Sequence, residues 1–385
     1  MNRITINPEV LRHNIDVIDG WMTKHGANWT LVTKVLCGHA DTLHVLQKLG
    51  VRSMGDSRID NLQAIERIVP NFESWYLRLP HLSAVPRIVA AADVSLNSEI
   101  EIIKAINQEA GRQNRVHRII VMIELGDLRE GILPGSLVEF YKQIFELPHI
   151  EVIGIGANIG CLAGAVPNKD QLMQLALYRE LLELKFERKL PMISAGSSSV
   201  LPLLLEEQVP KAINHFRIGE AVFLGTDLIN GGTLPGLRDD AITLEAEIIE
   251  IKEKNLVPMG DTSLITPFES DIPNDENAEA NPSRRGYRVI VAIGQLDTDV
   301  AGLTPRQPGF RLAGASSDVA VLNIGENDAG LKIGDSIQFG VNYSALLRLM
   351  SGKYTDQVIE PPLAKFAEKL KDNGTVKLPP VVEAL

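Results

Sequence analysis

Short apolar and β-branched runs alternate along this chain with longer segments whose apolar positions recur every three or four residues. The chain opens with "RITI", a strand pattern. In the following "NPEVLRHNIDVIDGWMTKHG", Asn7 suits an N-cap and Pro8 the first helical position, ahead of apolar residues at helical spacing. From Trp29 the strand-like runs are "WTLVTK", "RSMGD", "SWYLRLP", "DVSLN", "VHRIIVMIEL", "IEVIGIGAN", "PMISAG" and "INHFRIG". The segments between them, among them "DTLHVLQKLG", "SEIEIIKAINQEAG" and "KDQLMQLALYRELLELKFERKL", have helical periodicity. Eight such strand–helix alternations within about 200 residues predict an α/β fold, a (β/α)8 TIM-type barrel, with an open doubly wound sheet as the alternative.

The periodicity changes near Thr243. "TLEAEIIEIKEK", "YRVIVAIGQLD", "DVAVLNI" and "DSIQFGVN" follow one another without helices, broken by "NGG", "IGEND" and "KIGD" turn signals. The barrel is therefore expected over 8–235, followed by a smaller β-rich C-terminal domain over 236–385, which Met1–Asn7 could join as a strand. Residues 267–286 are polar and acidic and read as a flexible excursion. "PPLAKFAEKLKDNG" suits a short helix.

Composition narrows the function. The 385 residues are 45% hydrophobic and 23% charged, enough for a sizeable core. A net charge of −11 without a dense basic cluster argues against nucleic acid or an anionic membrane surface as partner. No apolar stretch approaches the roughly 20 residues that cross a bilayer, and "MNRITINPEV" lacks a signal pattern, so a cytoplasmic location is expected. Cys37 and Cys161 have neither disulfide nor zinc spacing, and His39 and His44 stand five apart rather than the four that share a helix face, so no metal is expected. "GIGANIG" imitates a dinucleotide turn, but its glycines are misplaced and no acidic residue follows at the required distance.

A barrel builds its active site at the C-terminal ends of its strands. Here those ends carry Lys34, Asp56, Pro80, Asn97, Glu124, Asn158, the serines after Ala195, and Arg217 with Gly219. A lysine at the end of a buried strand is desolvated and becomes a Schiff-base nucleophile, or else its head snorkels to solvent. The loops after strands seven and eight, "SAGSSSVLP" and "FRIGEAVFLG", offer small residues and hydroxyls where barrels hold phosphate. Together they suit a phosphorylated cofactor that has a carbonyl.

On these residues the chain resembles the fold-type III pyridoxal phosphate enzymes, particularly the alanine racemases and their ornithine racemase relatives. Lys34 with Gly38 and His39 looks like the family's cofactor lysine and its Gly-His pair. Arg217, Ile218 and Gly219 look like its "RxG", where the arginine meets the pyridine nitrogen and the following backbone, Gly219 and Glu220, takes phosphate. Gly196, Ser197 and Ser198 match the ornithine-type loop after strand seven, with Ser198 expected on the phosphate, and Asn158 lies where the strand end leaves room for the ring. Tyr343 in "GVNYSALL" is similar to a tyrosine that reaches the phosphate. "ELGDLREG" and "IGQLDTDVAGLTP" also look characteristic of the ornithine branch.

The resemblance implies pyridoxal 5'-phosphate on Lys34, an amino-acid substrate, and a homodimer with shared active sites. A cation at Arg217 keeps the ring nitrogen unprotonated, which suits a racemase better than a decarboxylase of the same fold. A non-catalytic pyridoxal phosphate carrier is the other alternative, and the β-rich domain argues against it. Two departures stand out. The lysine motif is one residue short and lacks the tyrosine before Gly-His, and Gln295 follows Gly294 where alanine racemases carry a catalytic tyrosine.

Racemisation needs proton transfer on both faces of a planar intermediate. Lys34 can serve one. For the other the candidates are Asp297, Asp299, Ser316 and Cys161, with Asp297 foremost, although it equally suits a substrate ammonium. Glu124, Asp127, Asp297 and Asp299 would favour a basic side chain such as ornithine or lysine. Arg129 suits either a bidentate grip on an α-carboxylate or a pair with Glu124.

Overall fold

The computed structural model describes residues 2–69, 71–160, 162, 164–256 and 285–372. The chain divides into two compact units, one of Met1–Val10 with Asp239–Phe366, the other of Leu11–Arg238 with Ala367–Leu385.

The chain begins with β1 (Arg3–Ile6) and α1 (Pro8–His25), where the Asn7 side chain accepts the Glu9 and Val10 amides at 3.0 and 3.2 Å, as an N-cap should. Eight parallel strands then close into a barrel: β2 (Asn28–Val32), β3 (Ser53–Asp56), β4 (Glu73–Tyr76), β5 (Val94–Asn97), β6 (His117–Met122), β7 (Ile150–Gly156), β8 (Met192–Gly196) and β9 (His215–Ile218). Closure sets Thr30 of β2 opposite Arg217 of β9. The intervening helices are α2 (Ala40–Lys48), α3 (Ile59–Ile68), α4 (Val85–Ala91), α5 (Ile100–Arg112), α6 (Leu137–Ile144), α7 (Lys169–Phe186), α8 (Leu201–Leu205) and α9 (Glu220–Leu224). At α7 a capping box forms between Asn168 and Gln171, and the Gln171 amide also donates to the Leu125 carbonyl at 2.7 Å, tying this helix to the loop after β6.

Several strands stop short of the runs that predict them. "SWYLRLP" leaves the wall at Tyr76, which puts Pro80 four residues beyond it, and β6 ends at Met122, two residues before Glu124. The apolar continuation instead lines the loops.

Part of the barrel interior is apolar, with Trp75, Val94, Leu96, Ile120, Met122 and Ile153 in one cluster. Beside it runs a buried polar column. His215 shares hydrogen bonds with Ser194 (2.8 Å) and Thr30 (3.1 Å), Thr30 with Ser53 (2.8 Å), and Ser53 donates to Glu73 (3.1 Å). Trp75 stacks on His215 at 4.5 Å between ring centroids and donates to Glu73 at 2.9 Å. Each buried polar group thereby meets the requirement that it be hydrogen-bonded.

The other unit is a sheet in the order β12-β15-β10-β11-β14-β13, from β10 (Ile242–Asn255), β11 (Arg285–Val291), β12 (Leu303–Pro305), β13 (Arg311–Ala315), β14 (Ala320–Gly325) and β15 (Ser336–Val341). Then come α10 (Tyr343–Ser351) and β16 (Asp356–Ile359). β1 joins this sheet, antiparallel to β10 and parallel to β16, with Arg3 paired to Glu245 at 2.7 Å. The first half of β10 alternates buried and half-buried residues, the period of a strand with one face in the core. α11 (Leu363–Asp372) forms where a short helix is expected. Of the excursion expected over 267–286, residues up to 284 lie outside the described residues, and Arg285 and Gly286 are paired in β11 rather than loose.

Candidate active site

The first barrel strand ends sooner than its sequence suggests. Val32 is the last strand residue, Thr33 turns the chain, and Lys34 opens a 3-10 turn (Lys34–Leu36) anchored by buried Val35 and Leu36. The turn closes with Cys37 and Gly38 at φ 49° and 76°, where glycine is at ease. The Thr33 amide donates to the Gly55 carbonyl at 2.9 Å and its hydroxyl to Asp56 at 3.0 Å. Asp56 is fully buried and also accepts from the Arg58 amide (2.9 Å) and the Asn61 side chain (3.1 Å). Burial pushes its carboxyl up, and these donors hold it back. Of the two readings of Lys34, the structure has the one that reaches solvent and corrects the desolvated one: the chain leaves the wall at Thr33, and the lysine side chain is exposed on the rim. Its charge still reaches Glu220 at the start of α9. Burial pushes Glu220 up to about 7, with Lys34 acting in the opposite sense.

Arg217 lies on the inner face of β9, buried. Its Nη1 donates to the Ser194 carbonyl at 2.6 Å and to the Ser194 hydroxyl, and its Nη2 to the Ala157 carbonyl at 2.9 Å and to Asn158 Oδ1 at 2.8 Å. Four directed bonds hold the guanidinium in one plane beneath the mouth. Burial, with Arg217 alongside, drives His215 down to about 3, so the imidazole beneath Arg217 is neutral at pH 7.

The loops after β8 and β9 form one structure. Ser197 caps the 3-10 turn Ser198–Val200, and the Ser198 hydroxyl accepts the Ala221 amide at 3.2 Å, bridging to the first turn of α9. Ser199 donates to the Ile159 carbonyl at 2.9 Å, adding the loop after β7. A Cβ on Gly196 would stand 1.8 Å from the Phe216 ring, and one on Gly219 would stand 2.8 Å from the Val32 carbonyl oxygen. Lys34, Ser198, Gly219 and Glu220 thus cluster at the ends of the first, seventh and eighth barrel strands.

The loop after β6 is organised differently from expectation. Glu124 is turned onto its own loop, accepting the amides of Gly126, Leu128 (3.2 Å) and Arg129 (3.2 Å). Asp127, buried, accepts the Gly160 and Leu162 amides at 3.1 and 3.2 Å. Both carboxylates accept backbone amides. The Arg129 side chain is held by Glu130. Its Nη2 donates to Glu130 at 2.7 Å and its Nε to the second oxygen of the same carboxylate. Glu130 also accepts from the Asn158 side-chain amide.

In the sheet unit, Asp297 accepts the Gly294 amide at 3.0 Å within a turn, and Gln295 donates its amide to Ser316 at 3.0 Å. Asp299 accepts the Ser344 hydroxyl at 2.6 Å, beside Tyr343, the first residue of α10. Ser316 is exposed in the turn that faces Gln295. Cys161 lies outside the described residues.

Two residues of the site escape the sequence reading. Glu130 sits among the quoted loop residues but gains meaning only through its contacts. Ser194 gives no signal in one sequence, because a serine on a strand reads equally well as an ordinary interior position, whereas His215 is the hydrogen-bonded barrel histidine its place on a strand suggests.

Fold and site together define a barrel enzyme whose rim lysine faces a cradle of small residues. Residues 6–227 match the family described as alanine racemase, N-terminal domain, and the chain belongs to that family. Over 356 residues, 92% of this chain and 98% of the relative, it is 34% identical to an ornithine racemase from Acetoanaerobium sticklandii. Over 362 residues, 94% and 99% respectively, it is 32% identical to a lysine racemase from Thermotoga maritima. Its fold is shared with the alanine racemase of Bartonella henselae, a structure described as having covalently bound pyridoxal phosphate, at a TM-score of 0.67 and 14% identity, covering 93% of this chain and 99% of that one.

Proposed function

We propose that this protein is a racemase of basic amino acids that binds pyridoxal 5'-phosphate covalently through Lys34. One observation carries the reading. A primary amine on the rim of the first strand stands with a hydroxyl and close-packed glycine backbone at the ends of strands seven and eight, while a buried, four-times-bonded guanidinium lies below. These residues fit the cofactor: Gly219 lets the end of the eighth barrel strand pack directly on Val32 beside Lys34, Ser198 and the neighbouring amides suit a phosphate, and Arg217 suits an unprotonated ring nitrogen. The substrate class follows the relatives, which are named for ornithine and lysine.

When bound, pyridoxal phosphate supplies an electron sink that acidifies the Cα–H of an attached amino acid. Lys34 would take and return that proton on one face. Arg217 is a permanent cation and cannot protonate a ring nitrogen, which limits the sink and favours reprotonation over competing losses. Asp297 is the residue we assign to the opposite face, with a partner copy supplying it in a homodimer, since Gln295 has no acid–base chemistry. Arg129 is assigned to the substrate carboxylate, and Tyr343 to the phosphate.

The test is Cα hydrogen exchange in deuterium oxide across a panel of amino acids with chiral analysis of the products. Exchange with inversion confined to ornithine, lysine or their like is expected, and absent from Lys34→Ala. A visible absorbance that borohydride abolishes should accompany it. Exchange without inversion, or carbon dioxide release, would overturn the assignment.

A further inference from the structure

We propose that Glu130 is a positioning residue that locks the buried guanidinium and the rim guanidinium of this site into one arrangement. The inference rests on the pyridoxal phosphate reading above and adds a residue to it.

Glu130 shares its carboxylate between two partners. One is the Asn158 side-chain amide, and the other is Arg129, held through two parallel bonds. Asn158 in turn presents its Oδ1 to Arg217 Nη2 at 2.8 Å. An asparagine amide can sit either way round. Were it reversed, its NH2 would face the guanidinium, donor against donor, and its oxygen would face a carboxylate. Glu130 accepts only, so it fixes the amide with oxygen toward Arg217. The side chain of Glu130 is only 12% exposed, so the contacts work in a partly dehydrated setting where charge-assisted bonds count for most.

The loop forces this placement. Gly131 has φ 145°, and a Cβ there would fall 2.2 Å from the Glu124 amide, so the chain folds back tightly right after position 130. Glu124 gathers the amides of the preceding residues from the other side. Glu130 therefore has little choice of direction. It hangs from the loop after the fifth barrel strand, which in a closed ring of eight lies across the axis from the first strand, where Lys34 begins its turn.

Charge supplies the reason for a carboxylate. Arg217 and Arg129 are permanent cations linked through Asn158 and Glu130, and one anion between them leaves a single net positive charge. Without it, Arg129 loses its two bonds and the repulsion between cations is uncompensated. The conservative change Glu130→Gln keeps an oxygen for Asn158 but offers no anion to Arg129, whereas Glu130→Ala removes both, so the pair of variants separates the two functions.

Phenylglyoxal labelling of the cofactor-free protein, read by peptide mass spectrometry, tests the rim contact whether or not cofactor binds. Arg129 should react several-fold faster in both variants than in the unchanged protein. In the holoenzyme, Glu130→Gln should keep the visible absorbance maximum and its pH midpoint while raising KM about 10- to 100-fold, the loss expected for one charge-assisted pair. Glu130→Ala should shift the absorbance and its midpoint as well. Equal Arg129 labelling in all three proteins, or an Ala variant with unaltered spectrum and KM, would overturn the proposal. Absence of any visible absorbance in the unchanged protein would instead count against the cofactor reading, and leave the labelling result to decide this one. Thermal melts of both variants identify loss of fold.

Discussion

Gly219 and Val32 are in backbone contact: a Cβ on Gly219 would come to 2.8 Å from the Val32 carbonyl oxygen and 3.0 Å from its Cβ. The first and eighth barrel strands therefore meet at the mouth without a side chain between them. Gly219→Ala is expected to lower stability by about 1–3 kcal/mol through overpacking. It should also weaken pyridoxal phosphate binding by displacing the amides that follow. A thermal melt with a cofactor titration checks both.

Arg217→Lys keeps the charge but not the fork. A lysine ammonium has three donors and cannot satisfy Ser194, Ala157 and Asn158 in the geometry that four guanidinium bonds now fill. Each buried acceptor left alone costs about 1–3 kcal/mol. The variant should unfold at distinctly lower denaturant and show a shifted cofactor spectrum if it folds.

Glu220 links stability to pH. Its folded pKa is raised by burial to about 7 from an ordinary 4.5, so the folded state holds its proton more tightly than the unfolded chain does. Its contribution is fully present below about 4.5 and is lost as pH rises through about 7. The amount is on the order of 3 kcal/mol. Glu220→Gln should flatten denaturation midpoints across that window. Lys34→Ala removes the charge that favours the ionised form, so the loss should extend to higher pH.

Two buried histidines act in the opposite direction. Burial lowers His215 to about 3 and His117 to about 4, against 6.5 in the unfolded chain. Their contribution is present above 6.5 and disappears as pH falls through those folded values. His215→Gln should reduce proton uptake on acid unfolding by about one. Denaturation midpoints or calorimetry across the acid range measure it.

The barrel was legible because eight runs of strand type alternate with helical periodicity, a signal that survives errors of two residues at each boundary. Those errors matter at the site. Lys34 reads as a buried strand terminus, yet the wall ends at Val32 and the lysine is the exposed residue of an otherwise buried turn, with Thr33 held by Gly55 and Asp56 of the neighbouring strand. That contact is non-local and leaves no mark in "TLVTK". Arg217, Ser198 and Gly219 were read from the strand-end loops together with the resemblance, and the structure places Ser198 beside the first turn after Gly219 with Arg217 buried on the same strand. Glu124 and Asp127 were read by charge as favouring a basic substrate, whereas both accept backbone amides, and the arginine that could have paired with Glu124 is held by Glu130. Composition reports charge but not which way a loop turns it.

The column from Arg217 through Ser194, His215, Thr30 and Ser53 to Glu73 draws on the first, second, third, seventh and eighth barrel strands. No member can be exchanged for an apolar residue alone without stranding the next one. In relatives these six positions should therefore be inherited as a block, present together or replaced together, and a graft of this mouth onto another barrel would have to carry its foundations with it.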